Sequence, residues 1–173
     1  MIKNIFCIIF LSLFVTTNIN ANSLERNFLI KFDGLCVQNI DKIELVNSFA
    51  EANKWMVLPP EQEALIAPRV KGPAFKAYAF IENNNVFMIG INDAEQKDSC
   101  TMVSKYNSLV EFKNTLKEFY KVKLANKTSQ GVQIMEFYNI DLIQSEEGIL
   151  FLNYSEQKGL EFISISIMVP KKN

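Results

Sequence analysis

The chain has 173 residues, with 18 basic against 19 acidic side chains and no histidine. A net charge of −1 offers no basic face for a phosphate backbone, so nucleic acid is not expected as a partner. The missing imidazole removes Ser-His-Asp and Cys-His nucleophilic machinery and every zinc site built on His.

The first segment reads as an export signal. Lys3 gives a positive start, residues 5–15 run apolar with only Ser12 interrupting, and Thr16, Thr17, Asn18 and Asn20 lead to the small residue Ala21. A membrane-spanning helix needs roughly 20 apolar residues, about twice this run. Cys7 lies inside the apolar run rather than after it, which does not suit a lipid-modified cysteine. A signal peptide over residues 1–21 is therefore expected, followed by one domain over 22–173, with a periplasmic or secreted destination and no stable membrane insertion after cleavage. Without Lys3, the only charge in that segment, the net charge is −2.

Cys36 and Cys100 survive processing. An isolated pair in an oxidising compartment bridges, and closing a loop of about 65 residues removes unfolded-state entropy worth about 4 kcal/mol on the chain-entropy model. Neither has a CxxC neighbour, so the bridge is structural rather than redox-active.

Leu24, Phe28, Phe32, Leu35 and Cys36 share one helical face, which predicts a helix presenting Cys36 inward. Asp41 three residues before Glu44 has the form of a capping box, and Ile43, Val46, Phe49 and Ala50 continue a second helix to about residue 53. Residues 55–73 hold Pro59, Pro60, Pro68, Gly72 and Pro73 and read as one long irregular surface loop. Beyond it the period becomes two: Phe75, Ala77, Ala79 and Ile81 alternate with Lys76, Tyr78 and Phe80. Asn83, Asn84 and Asn85 form a turn, and residues 86–92 and 100–106 give two more strands. Ser108 and Glu111 make a second capping box ahead of Leu109, Phe112, Leu116 and Phe119. Strands over 132–138, 149–154 and 160–169 follow, the last marked by Ile163, Ile165, Ile167 and Val169 alternating with Ser164, Ser166 and Met168. The expected fold is α+β: two N-terminal helices, then β-β-β-α-β-β-β in a mostly antiparallel sheet of about six strands, helices on one face, and the disulfide pinning the first helix to the third strand.

Little chemistry is on offer. The six glycines are scattered singly, so there is no phosphate loop, and Ser104 and Lys105 on one strand point to opposite faces. Carboxylate chemistry has two possible sources, Glu61 with Glu63, or Asp93, Glu95 and Asp98, although a solvated loop charge is the ordinary role of each. Residues 93–98 lack the glycine and terminal Glu of a calcium loop. No catalytic residue, metal or cofactor is expected.

Recognition is better supplied. Trp55 stands where the chain leaves the second helix, and Glu61, Glu63, Arg69 and Lys71 follow in the same loop. Trp55 would anchor a partner or cap the core beneath the loop, while Tyr78 and Phe80 on the lysine-bearing side of the first long strand offer a second exposed aromatic patch.

Phe32-x3-Cys36, the run Phe49-Ala50-Glu51-Ala52 before Trp55, the proline loop, Phe75-Lys76-Ala77-Tyr78 and Ser99-Cys100 together resemble small exported bacterial proteins built on a two-cysteine α+β domain. The resemblance covers residues 32–103 and implies a bridged envelope protein with no catalytic residues to carry over. The expected function is a non-catalytic periplasmic protein-binding module, such as an immunity or inhibitor protein against a secreted toxin or cell-wall hydrolase, with another envelope protein as partner. An accessory subunit or chaperone of an envelope or secretion assembly is the first alternative, and a carboxylate-only hydrolase the second.

Overall fold

The computed structural model describes residues 23–66, 75–93, 97–140, 148–159 and 161–170; the expected signal segment 1–21, Arg69, Lys71 and Glu95 lie outside them. Ser23 starts helix α1 (Leu24–Phe32), its hydroxyl accepting the Arg26 N–H at 3.3 Å. Phe28, Leu29 and Phe32 face the core, and the helix runs on into a π-helical turn, Asp33–Val37. The inward face expected for Cys36 is thereby kept: the residue is fully buried, bonded to Cys100, with the two Cα atoms 5.4 Å apart.

The capping box expected at Asp41 and Glu44 does not form. Asp41 sits within a 3-10 turn, Ile40–Lys42, and helix α2 (Glu44–Ala52) starts after Ile43 with no side-chain cap. Ile40 and Ile43 are both drawn into the core, and burying them, at roughly 2 kcal/mol each, outweighs a cap worth about 1 kcal/mol.

The segment expected as one irregular loop contains a two-residue strand, β1 (Met56–Val57), and a helix, α3 (Pro60–Ile66). Pro60 occupies the first position of α3, where its missing N–H has no intrahelical partner to lose, so the proline that looked like a breaker is a starter. Strands β2 (Phe75–Glu82) and β3 (Asn85–Asp93) are joined by Asn83 and Asn84, both at positive φ, the tight turn their side chains tolerate. Then come β4 (Lys97–Lys105), α4 (Leu109–Tyr120), β5 (Lys123–Gln130), β6 (Gln133–Ile140), β7 (Gly148–Ser155) and β8 (Phe162–Pro170).

These eight strands form one antiparallel sheet in the order β1-β2-β3-β4-β8-β7-β6-β5, two more than expected. The expected α+β class holds; β1 was too short to see, and β5 carries no apolar alternation. One face is covered by α1, α2 and α4. Phe87, Ile89 and Ile91 of β3, Met102 of β4, Ile163, Ile165 and Ile167 of β8, and Leu150 and Leu152 of β7 meet Phe28, Phe32, Phe112 and Leu116 there. Helix α3 lies on the opposite face, so the helices are not all on one side. Its Ile66 joins Leu58, Phe75, Ala77, Ala79 and Val103 in a second, smaller core. Gly90 permits that approach, because a Cβ there would come within 2.8 Å of both Ile66 and Phe75.

The second capping box is half right. The Ser108 hydroxyl accepts the Glu111 N–H at 3.2 Å, but the returning carboxylate is Glu25 of α1, which accepts from the Asn107 and Ser108 N–H groups at 2.7 and 2.8 Å. A buried side chain 80-odd residues upstream thus ties α1 to the start of α4. Among the described residues no helix is long and apolar enough to cross a membrane.

Candidate functional site

Two places gather candidate side chains, one toward each end of the sheet. The first opens where the chain leaves α2 and enters β1, beside β2. Trp55 is half-buried, its indole stacked on Phe80 with centroids 4.1 Å apart and 16° between planes, and its edge meets Phe49 at 5.4 Å. Phe80 stacks in turn on core Phe87 at 5.2 Å, so the aromatic shelf is anchored from below. Above it lies an open groove of about 860 Å³ between the end of α2, the π-helical turn and the β2–β3 hairpin. Phe49, Met56, Ile81 and Val86 line it and are well exposed, Ile81 at 74 %. Lys31 and Glu82 pair at its rim, and the Lys31 ammonium stands 5.6 Å over the Phe87 ring. Lys54, at φ 53°, turns the chain out of α2 toward β1 and has no ion-pair partner among the described residues.

Of the expected recognition residues, the groove unites Trp55 and Phe80. Tyr78 does not belong to an exposed patch: it is 3 % exposed and faces the helices, its hydroxyl donating to Asn47 Oδ1 at 3.3 Å, with burial first and the Glu51 charge second raising its pKa. Glu61 and Glu63 stand in the first turn of α3, away from the groove lining. Sequence reasoning missed Phe49, Met56, Ile81 and Val86. The available signal was apolar residues beside a helix end and on both sides of the Asn83–Asn84 turn, where solvent exposure is the rule.

The second place is built on Glu136 of β6, a residue sequence reasoning passed over. Its side chain is 5 % exposed and accepts hydrogen bonds from the Tyr138 hydroxyl at 2.6 Å, the Tyr154 hydroxyl at 2.8 Å and the Lys113 ammonium at 2.8 Å. Lys113, from α4, also donates to the Tyr154 oxygen at 2.7 Å and sits over its ring, while Lys127 of β5 approaches the carboxylate at 3.4 Å. Burial by itself would raise the Glu136 pKa; the three donors and the Lys113 charge outweigh it and hold the carboxylate at about 2. Burial and the neighbouring Glu136 push Tyr154 up to about 12 and raise Tyr138 likewise. A general acid or base works best with a pKa near the operating pH, and none of these three groups has one. The cluster is a lock that fastens α4 to β6 and β7.

Asp93, Asp98 and the α3 glutamates remain apart from this carboxylate, and among the described residues no group of three or more Cys, Asp or Glu side chains converges as a metal site. No family model, curated protein or solved structure matches the chain.

Proposed function

We propose that this chain is an exported, non-catalytic module that acts in the periplasm by binding another envelope protein, and that the groove beside Trp55 is its recognition surface. The observation that carries the reading is the set of exposed apolar groups at this sheet edge: Phe49 beside an aromatic shelf fixed to the core through Trp55, Phe80 and Phe87, with Met56, Ile81 and Val86 on the other face of the same strands. Exposed apolar groups set around a rigid Trp are what an interface centre uses, whereas a folded chain gains nothing by leaving them wet. The disulfide, which ties the π-helical turn lining the groove to β4, supports a preformed surface, which lowers the ordering cost of binding. Such rigidity suits an inhibitor or immunity protein that occludes a secreted toxin or wall hydrolase.

The test is a photoreactive amino acid placed at Met56 in living cells, with Thr128 on β5 as the control position. A discrete adduct from Met56 that vanishes in the Trp55→Ala background is expected. Equal adducts from both positions, or none from Met56, would overturn the reading.

A further inference from the structure

The backbone beside the groove is as informative as its side chains. In the β2–β3 hairpin the pair Glu82 and Asn85 flanks the two-residue turn, so Glu82 and Phe80 direct their main-chain groups toward β3, and Ile81, Ala79 and Ala77 direct theirs to the other side. The Leu58 N–H bond to the Ala77 carbonyl, at 2.9 Å, fixes the same parity independently. On that outer side β1 pairs only with Tyr78 and Ala79. Among the described residues, Ile81 therefore presents its N–H and C=O along an open edge of the groove that Met56 and Trp55 also line. The opposite edge of the sheet is guarded by a bulge between Leu124 and Asn126, by Lys123 and Lys127, and by the Asn126 side chain, which accepts the Lys127 N–H at 2.8 Å. Among the described residues no such device guards Ile81.

We propose that the partner enters the groove as an extended peptide segment that adds to the edge of β2 at Ile81. The open main-chain pair asks for a strand backbone, and the exposed apolar rim asks for apolar side chains at alternate positions. Charge adds a further requirement: the lining holds Lys31 and Lys54 against Glu82 alone, an excess of one positive charge, which favours an acidic residue in the segment. The occupant is thus an extended, apolar and mildly acidic strand of another protein. This rests on the groove being the recognition surface.

The probe is a short capped peptide alternating valine with threonine and glutamate, added to the isotopically labelled oxidised protein and followed by NMR. The Ile81 amide should exchange its hydrogen at least about tenfold more slowly at saturation, with Lys127 and Ser129 unchanged. Ile81→Pro removes the donor from an edge position the fold does not use, and should weaken peptide binding at least about tenfold while the protein stays folded. Peptide that shifts the Phe49 and Trp55 signals without protecting Ile81, or that binds Ile81→Pro as tightly as wild type, overturns strand addition and leaves the groove standing. No shift at any groove residue up to about 10 mM peptide overturns both.

Discussion

The half of the sheet from β1 to β4 and the half from β5 to β8 solve the same problems by different means. The first is fastened to its helical layer by the Cys36–Cys100 bond, has α3 on its second face, and ends in an edge with exposed Met56, Val57 and Ile81. The second is fastened through Lys113, Glu136, Tyr138 and Tyr154, and ends in β5, all of whose eight residues are exposed and mostly polar. A covalent lock is indifferent to pH but fails under reductant; an ionic lock behaves the other way round. Where β5 meets solvent it is bulged, charged and self-capped, so exposure there has been made harmless. Among the described residues the apolar groups at the β1–β2 end have no such protection, so exposure at the two edges has different consequences.

The comparison breaks most readily at the locks. Replacing Cys36 and Cys100 together by alanine should cost about 4 kcal/mol in chemical denaturation, with hydrogen exchange rising first in α1 and β4. Equal loosening of β6 and β7 would mean the halves are not separately fastened. Acid should act on the other half. The Glu136 pKa is held at about 2 in the fold against an ordinary 4.5, a depressed value, so its stabilisation is complete above the unfolded pKa and is lost as pH falls through the folded one. Thermal unfolding followed from pH 6 downward should show about 3 kcal/mol disappearing between roughly pH 5 and pH 2, a loss much reduced in Glu136→Gln. A variant that keeps the full acid dependence would show that other carboxylates carry it.

The two halves also differ in how far their sequences disclosed them. Ile163, Ile165 and Ile167 alternate with serines because β8 has one dry face and one half-wet face, and that pattern is visible in one dimension. β5 has no dry face, so Lys123 to Gln130 gave periodicity nothing to detect, and its strand character comes from pairing with β6 alone. The disulfide was legible because, of three cysteines, Cys7 falls in the expected signal segment and leaves Cys36 and Cys100 a single pairing. The Glu136 lock was not, since it joins α4, β6, β7 and β5 across sequence separations that only topology closes. Its place at a helix end marked Trp55 as either a partner anchor or a core cap, but its stacking on Phe80 was not legible. That stacking makes an intermediate prediction: Trp55→Ala should cost about 1–2 kcal/mol, less than the 3–5 kcal/mol of a fully buried aromatic such as Phe87→Ala, when both are measured by urea unfolding.

The smallest expected effect on stability is the sharpest test of the two edges. Lys123 and Asn126 stand on the exposed side of β5, and Asn126 Oδ1 occupies an outward N–H, that of Lys127, which a neighbouring strand would need. Replacing both by valine removes the mask and a charge, raises β propensity, and leaves Lys127 beside Glu136. Because neither side chain is buried, unfolding free energy should change by no more than about 0.5 kcal/mol. What should change is association. An unmasked eight-residue edge pairs with its own copy, so the double variant should sediment as a mixture whose mean mass rises with concentration, while the wild-type chain keeps one mass over the same range. If the variant stays at the wild-type mass, the bulge alone guards β5, and the Asn126 hydrogen bond is incidental to the protection. If the wild type already associates and Ile81→Pro abolishes that association while the β5 variant does not alter it, the strand received at the open edge comes from a second copy of this chain.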